Sequence, residues 1–182
     1  TGANLTVTGG DSSFEQALLA AALAAGEGEA LLVMGADEHH EVLSPLFDAS
    51  VRAGGPSSDG GGALCLRKSG APAGVTIAPL FYRGSRNNRD VISALIESAG
   101  GAGVITKKYA AIFAGMPAGN RQECESRLNQ LITATGFTGP VIDYRGLTGE
   151  FASASAVAAA LAVRFAARGE IPAPVTGGAS CP

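Results

Sequence analysis

Tryptophan is absent from this chain, and aromatic residues make up only 5% of its 182 positions. A core without large rings has to be built from closely approaching helices and strands, and Ala and Gly dominate the composition accordingly. Cysteine is scarce as well. Cys65, Cys124 and Cys181 are too few and too scattered for a disulfide framework, and none stands in a CxxC pair, so a cytoplasmic setting is expected. The only histidines, His39 and His40, lie side by side in Asp37-Glu38-His39-His40-Glu41. Adjacent side chains point apart, whereas helix-borne metal sites place His at i and i+4, so the cluster is expected to be a solvated loop leading into a helix. No metal or cofactor is expected. Excess positive charge is lacking too: the net charge is −3, which excludes a global field for nucleic acid. Long apolar runs are missing. The most apolar late segment, FASASAVAAALAVRFAARG, meets Arg164 after Val163, short of the ~18 residues a membrane span requires. The beginning of the chain has no basic-then-apolar secretory design.

What is present reads as strands alternating with helices. Leu5 to Thr8 alternates as a strand, and Ser12-Ser13-Phe14-Glu15 has capping-box spacing for a helix running to about Ala25 and stopping at Gly26. Ala30 to Met34 is a continuous apolar run, as in a strand covered on both faces. Glu41 to Val51 predicts a short helix containing Pro45, and RAGGPSSDGGG a loop. Ala63 to Arg67 and Val75 to Tyr82 read as an antiparallel pair of strands. Asp90 caps a helix from Val91 to Ser98, and Tyr109 to Ala114 is a buried strand. Arg121 to Thr135 is an amphipathic helix with Leu128, Leu131 and Ile132 on one face. Val141 to Tyr144 is a short strand, and an Ala-rich helix from Phe151 to Arg168 closes the pattern. The expected class is α/β, layered, with mixed sheets.

The order of these elements, with three motifs, resembles the β-ketoacyl-acyl-carrier-protein synthases of the thiolase superfamily. TVTGGDSSFEQALLAAALAAGEGEALLVMGADE follows the track of that family's nucleophile strand, buried helix and following strand. SDGGGALCLRKS is similar to its gEGagvlvLe strand, and YAAIFAGMPAGN stands where a strand enters nahGTsT. YRGLTGEFASASAVAAALAVRFAARGEIP is similar to K…GHtlgAaGa…al…l..g.iP. The resemblance covers nearly the whole of residues 1–182 in order. It implies a thiolase-like layered αβαβα architecture, incomplete in this chain: the late part of the first half and most of the second. A partner chain or a longer protein would supply the rest, because unpaired strand edges invite aggregation.

The family's chemistry uses a Cys nucleophile and two His residues. Residue by residue, the Cys position falls on Gly10, one His position on Met116 or Gly115, and the other on Glu150. Glycine cannot carry an acyl group, and a carboxylate would repel an enolate. The resemblance therefore implies the non-catalytic chain-length-factor branch, which shapes the acyl tunnel of an active synthase and serves fatty-acid or polyketide biosynthesis. Expected partners are an active ketosynthase, an acyl carrier protein, and a homo- or heterodimer mate meeting the Leu5 to Thr8 strand. The basic cluster Arg83, Arg86 and Arg89 with Lys107 and Lys108 is either a carrier-protein dock or solvated loop charge. Gly9-Gly10-Asp11 reads equally as a tight turn with a capping acid, and Glu150 as an acid complementing the dipole of the following helix. Two rivals remain. One is an acyltransferase or hydrolase using Ser12, Glu150 or Thr1, and the other is a stand-alone acyl-thioester binding module. Cys65, mid-strand, is expected to be a buried, inert thiol.

Overall fold

The computed structural model describes residues 4–68, 74–78 and 91–178. They form a mixed α/β arrangement in which helices outweigh two small sheets. Helix α1, Ser13–Ala24, precedes strand β1, Ala30–Asp37. Helices α2, Leu43–Phe47, and α3, Ala49–Arg52, fill the connection to strand β2, Gly60–Arg67. β1 and β2 are antiparallel, with Val33 opposite Leu64 and Gly35 opposite Gly62. Helices α4, Val91–Ser98, and α5, Ala102–Lys108, then lead to strand β3, Ile112–Ala114. Helix α6, Arg121–Thr135, crosses to strand β4, Val141–Asp143, which lies parallel to β3. Helices α7, Tyr144–Thr148, α8, Ala154–Arg168, and α9, Ala173–Thr176, complete the order.

Helix α8 is the centre of the packing. On one side Ala156 joins Phe14, Val33 and Leu64, with Ala159, Ala160 and Val163 half-buried around them. On the other, Phe165 meets Ile142 and Ile171, and Leu161 and Phe113 complete the cluster. The Phe113 and Phe165 rings are 6.2 Å apart and tilted, an arrangement favoured by the ring quadrupoles. Small residues make the first contact possible. A Cβ on Gly62 would collide with the Ala156 backbone, so helix and strand touch main chain to main chain. This is the close-approach core implied by a composition poor in rings.

Several expectations fail for physical reasons. Leu5 to Thr8 forms no strand: it lies outside any ladder, and Leu5 is 72% exposed. Alternation alone does not make a strand when no neighbour accepts its hydrogen bonds. The pairing expected between Ala63 to Arg67 and Val75 to Tyr82 is replaced by β1 with β2; Val75 to Ala78 are outside any strand and the remainder lies outside the described residues. Glu41 to Val51 divides into α2 and α3, because Asp48 takes an extended conformation and accepts the Ser50 and Val51 N–H groups at 2.7 and 3.3 Å. β1 is covered on one face only. Leu32 and Met34 point away from α8, 66% and 63% exposed, opposite Cys65 and Ala63. Cys65 is therefore exposed where a buried thiol was expected. The Ala-rich helix begins at Ala154 instead of Phe151. Helices α4 and α6 have the expected bounds, and Gly136 closes α6 at φ +69°. No helix among the described residues is long and apolar enough to cross a membrane.

Candidate functional site

The turn into α1 is held by its own hydroxyls. Gly10 sits at φ +58°, a region that penalises any Cβ, and opens a short 3-10 turn over Gly10–Ser12. Ser13 Oγ accepts the Gly9 N–H at 2.8 Å and donates to the Gly10 carbonyl at 2.7 Å. Ser12 Oγ donates to the Gly9 carbonyl at 3.0 Å and accepts from Gln16 Nε2 at 2.9 Å. The Ser12 hydroxyl therefore braces the turn and makes no side-chain cap to α1.

Glu150 reaches the same place from the far end of the chain. It is 3% exposed, and both carboxylate oxygens are engaged. Oε1 accepts the Ala118 N–H at 2.8 Å, and Oε2 accepts from Arg145 Nη1 at 2.9 Å. Arg145, also 3% exposed, extends Nη2 to Asp11 at 3.4 Å and donates to the Phe151 carbonyl. One buried guanidinium thus joins the Gly10 turn to the Glu150 segment. Burial works against its charge, but Asp11, Tyr144 and Glu150 outweigh that and hold its pKa above the ordinary arginine value. Met116 is buried two residues before Ala118, and the adjacent Gly115 leaves room for the Tyr144 hydroxyl. Burial, then the charge of Glu15, pushes Tyr144 up to about 12.

Gly10, Asp11 and Glu150 line a cleft of about 520 Å³ whose other wall is formed by α2 and the loops around it. Of the three positions matched to the family's reactive set, Gly10 and Glu150 meet in this cleft, while Met116 is buried and does not line it. Glu150 does not complement a helix dipole, since α8 starts four residues later and its carboxylate faces Arg145. That task falls to Asp37, which accepts both the N–H and the Oγ–H of Ser153 at 2.6 Å. Sequence spacing gives no hint of this pair, because 116 residues separate its members.

The two histidines do separate work. His40 Nδ1 accepts the N–H groups of Val42 and Leu43, each at 3.2 Å, and so serves the start of α2. His39 Nδ1 lies 2.6 Å from Ser57 Oγ, and the His39 N–H donates to Asp59. Among the described residues no group of His, Cys, Asp or Glu is arranged to hold a metal ion. Cys124 is half-buried, and burial together with Glu123 raises its thiol pKa. Lys107 and Lys108 close α5, with the Lys108 ammonium 5.8 Å from the Tyr109 ring centre. Thr1, Arg83, Arg86, Arg89, Asp90 and Cys181 lie outside the described residues. No family model, no curated protein and no solved structure matches this chain.

Proposed function

We propose that the chain is a β-ketoacyl-synthase-like subunit without the Cys-His-His set, a structural and tunnel-shaping partner of an active ketosynthase acting with an acyl carrier protein. The observation that carries this reading is the pairing of Glu150. Where the resemblance expects a histidine to steady an enolate, a buried carboxylate has both oxygens engaged by Arg145 and the Ala118 N–H. The elbow opposite it is a glycine. Both segments border one cleft, and what joins them is the Arg145 guanidinium, paired with Asp11 and Glu150, which binds the turn to the rest of the fold. A buried, fully partnered carboxylate is a poor general base, since protonating it leaves Arg145 uncompensated.

A partner surface supports the same reading. Leu32 and Met34 on the open face of β1 are 66% and 63% exposed, and Leu46 and Phe47 on α2 are 62% and 85% exposed, large apolar side chains that a partner could cover. Leu5 to Thr8, which forms no strand, is not part of this surface.

The test is co-expression of the tagged chain with a Cys-bearing ketosynthase, followed by reconstitution with acyl carrier protein and malonyl and acetyl donors. The expected result is co-elution and products whose chain length differs from those of the synthase alone. Elution as a lone species, with synthase products identical in its presence and absence, overturns the proposal.

A further inference from the structure

The geometry points to a reactive position in the same cleft: Ser57 as an acyl-accepting nucleophile, with His39 as its base, acting on apolar acyl esters and thioesters. Ser57 Oγ and His39 Nδ1 are 2.6 Å apart, inside the range for direct proton transfer, and both line the cleft. They are 18 residues apart in the chain, which is why neither stands out in the sequence. With the imidazole proton on Nε2, the Nδ1 lone pair accepts the serine O–H.

Both residues are held from behind. Ser57 forms an isolated parallel bridge with Glu150. The Glu150 N–H donates to the Pro56 carbonyl at 2.7 Å, and the Ser58 N–H donates to the Glu150 carbonyl at 3.4 Å. Ser58 Oγ adds a bond to the Thr148 carbonyl at 2.6 Å. The serine thus rests on the segment that the buried Arg145–Glu150 pair fixes. His39 is held through its main chain by Asp59. Anchoring a nucleophile and its base through the backbone leaves their side chains free to face a substrate. Leu43 and Phe47 line the same cleft and offer apolar contact to an acyl chain.

The step balances without a cofactor. Ser57 Oγ attacks the carbonyl carbon, its proton passes to His39 Nδ1, and the tetrahedral adduct collapses with cleavage of the C–O or C–S bond. The alcohol or thiol departs with the proton from His39. Water, deprotonated by the same imidazole, then releases the carboxylic acid and regenerates Ser57. Phe47 belongs both to the exposed apolar surface and to this cleft, so labelling of Ser57 is read on the chain alone and partner capture on Ser57→Ala, and either can fail without the other.

The experiment treats the full chain with an alkyl fluorophosphonate, maps the adduct by peptide mass spectrometry, and follows hydrolysis of p-nitrophenyl octanoate. One adduct on Ser57 is expected, absent in Ser57→Ala and formed at least about tenfold more slowly in His39→Gln. Phe47→Ser is expected to raise KM for the octanoate ester while sparing that for the acetate. Circular dichroism establishes that each variant is folded. No adduct on Ser57 in the folded wild-type chain overturns the proposal. So does equal labelling of His39→Gln, which would make the Ser57–His39 bond a loop latch only.

Discussion

Replacing Glu150 by Ala gives a direct measure of what holds the Gly10 turn to the rest of the protein. The substitution leaves the Arg145 guanidinium 3% exposed with only Asp11, at 3.4 Å, as an ionic partner. It also removes the acceptor of the Ala118 N–H. Breaking a buried ion pair from one side costs about 3–5 kcal/mol. Asp11 offsets part of this, so the expected loss lies near the lower end, about 3 kcal/mol. With a urea slope of about 2 kcal/mol/M for a chain of this size, the midpoint falls by about 1.5 M. Glu150→Gln keeps an acceptor for Ala118 while removing the charge, and is expected to lose less. Exchanging both partners, Arg145→Met with Glu150→Leu, removes the buried charge and its penalty together and recovers most of the midpoint. Urea unfolding followed by far-ultraviolet circular dichroism reads all four proteins. A loss below about 1 kcal/mol in Glu150→Ala would refute the reasoning, since a buried guanidinium cannot lose its nearest counter-charge so cheaply.

Three further outcomes are expected. Gly62→Val drives a side chain into the Ala156 backbone and should lower the melting temperature by about 3–10 °C, from an overpacking cost of about 1–3 kcal/mol; an unchanged melting temperature would mean that α8 does not lie against β2 as described. Ultraviolet titration should show a tyrosine ionising near 12, because burial and then Glu15 disfavour the Tyr144 phenolate. A folded pKa raised above the ordinary value of about 10 stabilises the protein below pH 10, and that contribution is lost as pH rises toward 12, which stability curves across this window will reveal. A thiol reagent should modify exposed Cys65 faster than Cys124, whose raised pKa lowers its thiolate fraction, and binding of a partner over the open face of β1 should slow Cys65 alone.

What could be read from the sequence follows the range of the interactions involved. Helix α6 announces itself through a local amphipathic period, and α4 through the capping-type Asp90 that precedes it in the sequence. Helix Ala102–Lys108 has no sequence signature, since one short helix with the β-branched Val104, Ile105 and Thr106 carries no helical signal of its own. The partner of β2 is not a local property either: proximity in sequence points to Val75 to Tyr82, whereas β1 takes the place and sets Val33 opposite Leu64. In the candidate site, Gly10 and Glu150 line one cleft, while the pairing of Glu150 with Arg145 and the Ala118 N–H has no signal in the sequence. Nothing in YRGLTGE ties Arg145 to Asp11 by spacing, and only the folded chain places it between Asp11 and Glu150. The Asp37–Ser153 and His39–Ser57 contacts belong to the same class: tertiary pairs with no spacing rule to reveal them.

The position of α8 between two apolar clusters carries a consequence for how this segment can change over time. An α-helix turns by about 100° per residue, so inserting or deleting one residue between Ala156 and Phe165 would rotate one contact face relative to the other. Ala156 could remain against Val33 and Leu64, or Phe165 against Ile142 and Ile171, but not both. Substitutions within α8 can be absorbed one at a time, whereas changes in its length cannot. The helix acts as a keyed shaft between the two sheets, and variation in chain length is expected in the loops that flank it.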